Sequence, residues 1–259
     1  MEMSLQVTGL RFGYHSTPLF SSLTAQPFKR GEVTALIGPN GVGKSTLFQL
    51  LSGLLLPKEG TIALDGVNLA ALSQRRRAER IFLLTQHTAT RAALRVFEVI
   101  LLAKRGWQSG KVTADDISKV EYLLDLLGIE HLADRLVPEL SGGQQQLVAI
   151  GQALARDPDV LLLDEPTSAL DLRRQLEVMH LVQDVTRQRN IVTIAALHDL
   201  NLASRFADRF LLIQDGAVKA DGSPEAVLEL GQTASAYGVG LTIERGSWGQ
   251  LLVHPYLRR

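Results

Sequence analysis

The run GPNGVGKST has the residue types and the spacing of a phosphate-binding loop. It fits the pattern G-x-x-x-x-G-K-[ST], in which backbone N–H groups close around phosphate oxygens, the lysine reaches the terminal phosphates and the hydroxyl binds Mg²⁺. The sequence therefore predicts a site for a nucleoside triphosphate and Mg²⁺. The predicted phosphate-binding residues are Gly38, Pro39, Asn40, Gly41, Val42, Gly43, Lys44, Ser45 and Thr46.

Two carboxylates follow the apolar run at 160–163, Asp164 directly and Glu165 next to it. A carboxylate at a strand end near a phosphate loop can hold the Mg²⁺ shell through water, and the next one can polarise the attacking water as a general base. Without the phosphate loop, a charged strand terminus in a turn would be the simpler interpretation.

Gln86 and His198 also follow apolar runs, at 81–84 and 191–196. A glutamine in that position can reach a metal ion or water, although one glutamine is weak evidence. A single histidine is more often structural than catalytic. The residues by themselves leave both assignments open.

The segment LSGGQ at 140–144 has two interpretations. Ser141 and Gln144 are spaced as a capping box, which predicts only the start of a helix. Gly142 and Gly143 are costly for stability there, and they would expose backbone N–H groups as an anion site does.

Tyr14 lies in the turn at 13–16, upstream of the loop. Its ring could stack on a nucleotide base, or it could cap the end of a strand. The spacing does not distinguish the two.

The elements that must position these residues alternate between strands and helices. An apolar, β-branched run at 33–37 precedes the loop, and a helical pattern at 46–51 follows it with its N-terminus directed at the anion. Antiparallel strands are predicted between 4 and 37, and a helix over about 172–188.

From about 89 to 140 the pattern changes to helices. Thr113 opens one of them by a capping box. Its buried face is expected to carry Ile117, Val120, Leu124 and Leu127.

Three other stretches carry weaker signals. The basic run at 73–80 predicts a solvated helix face. Ser223 is predicted to cap the final core helix, with a proline at its first position. The last residues, from about 230 onward, carry turn glycines and no recognisable motif.

Composition limits the function classes. The chain has 259 residues, of which 46% are hydrophobic, and Lys plus Arg equals Asp plus Glu at 27 each. This balance disfavours nucleic acid as the main partner. The absence of cysteine excludes disulfides and thiolate metal sites. The sequence shows no secretory signal, and it shows no apolar run long enough to cross a bilayer. If the protein functions at a membrane, another chain is expected to hold it there.

GPNGVGKST, Gln86, LSGGQ, VLLLDEPTSALD and His198 together resemble the nucleotide-binding subunit of an ABC transporter. The resemblance implies ATP and Mg²⁺ as ligands, with Ser45, Gln86 and Asp164 serving the metal. It implies that Glu165 activates water, His198 contacts the γ-phosphate and Tyr14 stacks on adenine.

The same resemblance implies the fold and its division. The expected fold is α/β, a RecA-like phosphate-loop NTPase core with an N-terminal antiparallel β subdomain and an inserted α-helical subdomain. The core and β subdomain are expected at 1–88 and 150–230, the helical subdomain at 89–149, and a tail packed on the core at 231–259.

The resemblance also implies partners. A head-to-tail homodimer would bring Ser141, Gly142, Gly143, Gln144 and Asp171 of one subunit onto ATP held by the other. Transmembrane permease subunits and, indirectly, a substrate-binding protein would complete the transporter at the cytoplasmic face of the inner membrane.

Segments at 75–86, 197–209 and 236–253 look most like importers of iron-siderophore complexes, haem or cobalamin. The main alternative is a soluble ABC ATPase that remodels a protein or nucleic-acid complex. A regulatory module that binds nucleotide without turnover is the third, and the presence of both Asp164 and Glu165 argues against it.

Overall fold

The structure is a computed structural model that describes residues 4–15, 17–85, 93–106, 110–247 and 249–257. In this part of the chain the strands are β1 (Ser4–Tyr14), β2 (Thr17–Lys29), β3 (Val33–Ile37), β4 (Glu59–Leu64), β5 (Val67–Asn68), β6 (Ile81–Leu84), β7 (Val160–Asp164), β8 (Val192–Ala196), β9 (Arg209–Gln214), β10 (Ala217–Gly222), β11 (Gly240–Arg245) and β12 (Leu251–Tyr256). The helices are α1 (Lys44–Leu51), α2 (Gln74–Arg80), α3 (Val96–Arg105), α4 (Ala114–Leu126), α5 (Gly142–Ala155), α6 (Leu172–Gln188), α7 (Leu200–Phe206), α8 (Pro224–Glu229) and α9 (Gly231–Tyr237).

A six-stranded sheet forms the centre, in the order β10-β9-β3-β8-β7-β6. The pairs β6–β7, β7–β8, β8–β3 and β3–β9 are parallel, and β10 closes one edge antiparallel to β9. Every residue of β3, β7 and β8 is buried. One face of the sheet packs on α1 and on strands β1, β2 and β4, and the other packs on helices, so these strands are buried on both sides and read as continuous apolar runs. The predicted α/β fold is confirmed.

The N-terminal antiparallel sheet has the order β2-β1-β4-β5. The apolar runs around Leu5 and Leu10, which the sequence suggests as separate strands, belong to one strand, β1. Gly9 lies between them with φ +61°, where the register with both neighbours shifts. A β-bulge of this kind lets one strand continue where the alternation of buried and exposed side chains is interrupted.

Helices α3, α4 and α5 pack against one another around a shared apolar core. The capping box at Thr113 is confirmed, with Asp116 as its acidic member. The expected buried face is wrong at one position, because Ile117 is 39% exposed while Leu123 is fully buried. The division of the chain at residues 88, 149 and 230 stays a prediction.

The basic run is only partly a solvated face. Arg80 reaches Asp65 and Asp159 at 2.6 Å each, and Arg30 reaches the same two carboxylates at 2.8 and 2.9 Å. Asp65 lies in the β4–β5 turn and Asp159 directly before β7, so these ion pairs join the two sheets. Arg77 donates to two backbone carbonyls and is half-buried.

The predicted final helix, α8, is capped by Ser223 as expected but is not the last element. α9 and the β11–β12 hairpin follow it. Val253 of β12 is 3% exposed and belongs to the main core, so the tail is packed onto the rest of the chain. Among the helices the structure describes, none is both long and apolar enough to cross a membrane.

Candidate active site

The register of the central sheet brings three distant segments to one edge. Ala196 of β8 pairs with Leu36 of β3 on one side and with Asp164 of β7 on the other. Because parallel strands end at the same edge, the phosphate loop after β3, the carboxylates at the end of β7 and His198 after β8 converge there.

The loop conformation depends on its glycines. Gly38, Gly41 and Gly43 have φ values of +143°, +78° and +103°, which side-chain-bearing residues rarely adopt. A Cβ on Gly38 would lie 2.3 Å from the Ile213 carbonyl oxygen. The loop ends where α1 begins at Lys44, so the free N–H groups of the first helical turn face the cleft edge.

Lys44 is 7% exposed, and its Nζ donates to the carbonyl oxygens of Gly38 at 2.7 Å and Pro39 at 3.0 Å. Burial lowers the pKa of Lys44, and the charges of Glu165 and Asp164 oppose the shift. A phosphate group at the loop would add further negative charge beside this buried cation and would stabilise it.

Asp164 is 6% exposed. Burial raises its pKa, a hydrogen bond from the Ser45 hydroxyl counteracts part of the shift, and the charge of Glu165 adds to it. A buried carboxylate with a raised pKa favours a cation beside it. Ser45 and Asp164 are therefore a donor set that suits Mg²⁺.

Glu165 and His198 touch through Oε1 and Nε2. The backbone of Glu165 has φ +53°, which is uncommon for a residue other than glycine. Its N–H donates to the Ala196 carbonyl at 3.2 Å, and its carbonyl accepts the Ser168 hydroxyl at 3.1 Å. These bonds fix a strained turn that aims the carboxylate at the cleft.

The cleft around these groups has a volume of about 550 Å³. It is lined by Asn40, Gly41, Gly43, Lys44, Ser45, Thr46, Glu165 and His198. Within the described residues, no group of three or more His, Cys, Asp or Glu side chains could hold a metal by itself. Mg²⁺ is commonly bound by one or two protein ligands, with water and substrate phosphates completing its shell.

The LSGGQ segment lies in a different cleft, of about 560 Å³, which also includes Asp171. The capping box of Ser141 and Gln144 is confirmed, with bonds of 3.0 and 3.4 Å. Gly143 has an additional packing reason, since a Cβ there would lie 2.9 Å from the Ala169 carbonyl oxygen. None of the phosphate-loop residues lines this second cleft.

Three predicted residues remain: Tyr14, Asp171 and Gln86. Tyr14 ends β1, is 47% exposed, and its hydroxyl lies 3.3 Å from the Thr46 hydroxyl. Asp171 caps α6 by accepting from the Arg174 N–H at 2.9 Å. Gln86 lies outside the described residues.

Two contacts at the site have no signal in the sequence pattern. The Gln146 side chain donates to the Pro166 carbonyl at 3.0 Å and ties α5 to the turn after Glu165. The Gly38 N–H donates to the hydroxyl of Tyr237, which is 199 residues away in the chain. Only a three-dimensional arrangement could have revealed either.

The chain matches the family model described as "ABC transporter" over residues 24–168. It is 40% identical over 241 residues to the Hemin import ATP-binding protein HmuV of Rhodopseudomonas palustris, covering 88% of this chain and 86% of that relative.

Two solved structures are also similar. One is an inward-facing ABC transporter described as of the metal-chelate type, with a TM-score of 0.82 and 28% identity over 98% of each chain. The other is a dimeric ATP-binding cassette in a post-hydrolysis state with ADP and Pi. It has a TM-score of 0.76 and 25% identity, covering 85% of this chain and 98% of that one.

Proposed function

We propose that this chain, which belongs to the ABC transporter family, is the ATPase subunit of an importer. In this proposal it energises the uptake of a metal chelate through a separate transmembrane permease. The cargo class we propose is an iron-siderophore complex, haem or cobalamin. The observation that carries the site assignment is that Lys44, Ser45, Asp164, Glu165 and His198 meet at one edge of the sheet.

In the proposed reaction, loop N–H groups and Lys44 hold the phosphates of ATP. Their donors are fixed before ATP arrives, so little reorganisation is needed when charge develops on the transferred phosphoryl group. Ser45 and Asp164 would hold Mg²⁺, which would supply positive charge to the phosphates when bound. Gln86 is proposed as a further group at the metal.

Glu165 is the proposed general base. It would accept the proton of a water that attacks the γ-phosphorus, while the bond from that phosphorus to the bridging oxygen breaks and ADP leaves. The contact with His198 holds the carboxylate at the cleft edge. We propose that His198 contacts the γ-phosphate when ATP is bound, and that Tyr14 stacks on the adenine.

The second cleft supports a site shared between two copies. The LSGGQ N-terminus and Asp171 do not line the phosphate-loop cleft of their own chain. A second copy placed head to tail would add the N–H donors of α5 to the γ-phosphate. ATP would then stabilise the closed dimer, and hydrolysis would release it.

The proposed location is the cytoplasmic face of the inner membrane, with the permease as the anchor. A substrate-binding protein would deliver the chelate from the other side.

The test is to purify tagged Glu165→Gln protein from detergent-solubilised native membranes with MgATP, and to identify the co-purifying proteins by mass spectrometry. We expect a multi-helix membrane subunit in equal amount, because the variant would trap the closed complex. The matched control is tagged parent protein with MgADP. A stoichiometric soluble partner, or none, would overturn the importer assignment and favour the remodelling ATPase.

A further inference from the structure

The C-terminal tail, defined as residues 231–257, makes a direct hydrogen bond to the phosphate loop. The backbone N–H of Gly38 donates to the Tyr237 hydroxyl at 2.8 Å. Gly38 is buried, and a buried N–H without an acceptor is costly. The tail therefore satisfies the first donor of the loop.

The same glycine is bonded on its other side to the loop lysine. The Gly38 carbonyl accepts from Lys44 Nζ at 2.7 Å. A chain of two hydrogen bonds thus runs from Tyr237 through Gly38 to Lys44. No side chain fits at this position, because a Cβ on Gly38 would lie 2.3 Å from the Ile213 carbonyl oxygen.

Tyr237 is itself firmly placed. α9 is anchored to α8 by the fully buried Thr233, whose hydroxyl donates to the Val227 carbonyl. Burial raises the pKa of Tyr237, with the bond from Gly38 opposing the shift, so the phenol stays neutral and can accept this bond at physiological pH.

The tail also holds the segment after His198. The side chain of Asn201, in α7, exchanges two hydrogen bonds with the backbone of Val253, at 3.1 and 2.7 Å. Tyr237 and His198 line one further cleft together. The tail therefore contacts both the loop that receives phosphate and the helix that follows the histidine.

We propose that Tyr237 is a positioning residue for ATP: through Gly38 it holds the phosphate loop in the conformation that receives the phosphates. This inference rests on the proposed ATP site. Without the hydroxyl, the peptide between Ile37 and Gly38 turns toward another acceptor and the loop relaxes. ATP binding must then restore the loop to its binding conformation, and this costs free energy of binding. The substitution should therefore lower the affinity for ATP more than it lowers the stability of the fold.

The test is Tyr237→Phe in the full chain, which keeps the ring and removes the acceptor. Calorimetry with a non-hydrolysable MgATP analogue should show a Kd raised roughly 2- to 12-fold, the range for one lost hydrogen bond. The KM for ATP should rise by a similar factor with kcat nearly unchanged, and Tm without nucleotide should stay near the parent value.

Tyr122→Phe is the matched control. Tyr122 is 54% exposed on α4, and the variant should bind the analogue like the parent. A lowered Tm with an unchanged Kd for Tyr237→Phe would show a purely structural role and overturn the inference.

Lys44→Ala separates this inference from the proposed function. If Lys44→Ala loses the analogue while Tyr237→Phe binds it like the parent, only the role of Tyr237 is wrong. If Lys44→Ala binds like the parent, the ATP site itself is wrong, and the role of Tyr237 falls with it.

Discussion

The phosphate-loop cleft and the LSGGQ cleft are similar in size and opposite in character. The first is lined by a buried lysine and by a glutamate bonded to a histidine, and the buried Asp164 lies behind its Ser45. The second presents a helix N-terminus whose cap is already satisfied by Ser141 and Gln144, and among the described residues it contains none of the groups proposed for hydrolysis. The groups proposed for hydrolysis whose positions are described thus lie in or beside one cleft, while the other cleft is the surface proposed to meet a second copy.

The largest effect should come from the first cleft. We expect Glu165→Gln to bind MgATP normally but to lower kcat by roughly 10²- to 10⁴-fold, since the general base is lost. Phosphate release and size-exclusion chromatography with MgATP would measure turnover and the trapped dimer.

Glu121→Gln, an exposed change on α4, is the matched control and should hydrolyse ATP like the parent. Hydrolysis by Glu165→Gln at the parent rate would place the base elsewhere and remove the distinction between the clefts.

The next largest effect tests whether the LSGGQ cleft takes part in closure of the dimer. In Gly143→Ala the new methyl group meets the Ala169 carbonyl, so the start of α5 must move. Overpacking of this kind costs about 1–3 kcal/mol of folding stability. Because the displaced helix start is the surface proposed to meet the second copy, closure of the dimer and turnover should fall. MgADP binding to the single chain, measured by calorimetry, should not change.

Gly231→Ala is the control for a glycine replacement, because no atom lies within 4 Å of its added Cβ. If Gly143→Ala weakened MgADP binding instead, the two clefts would not be independent.

The smallest expected effect is on the free energy of unfolding, which the buried charge of Asp164 lowers. Asp164 has a raised pKa, so the folded chain disfavours its charged form, and this penalty is complete at pH values above the raised pKa. Asp164→Asn should therefore raise Tm at pH 7, by about 2–4 °C for each 1 kcal/mol removed. The gain should shrink as pH falls through the raised pKa toward about 3.9, because the parent carboxylate then gains its proton.

Differential scanning calorimetry across that pH range, without nucleotide, checks this. Asp171→Asn in the second cleft is the comparison and should leave Tm nearly unchanged, because Asn caps a helix as well as Asp. Equal gains in both clefts would show that burial of Asp164 carries no special cost.

Much of this molecule follows from local sequence. The phosphate-loop pattern, the helix at 172–188, the capping boxes at Thr113 and Ser141, and the turn after Leu64 all depend on residues within a few positions of one another. Capping and turn chemistry act over that distance, so the residue types alone determine them.

Contacts between segments that are distant in the sequence were determined only by the tertiary structure. The order of the parallel strands brings Ala196 between Leu36 and Asp164, and a tail without a recognisable motif gives Gly38 its acceptor. The pattern of 81–84, 160–163 and 191–196 predicts buried strands but not their neighbours, because side-chain burial on both faces leaves no periodic signal of pairing. The sequence thus determined which groups could act on ATP, and only packing decided which of them meet.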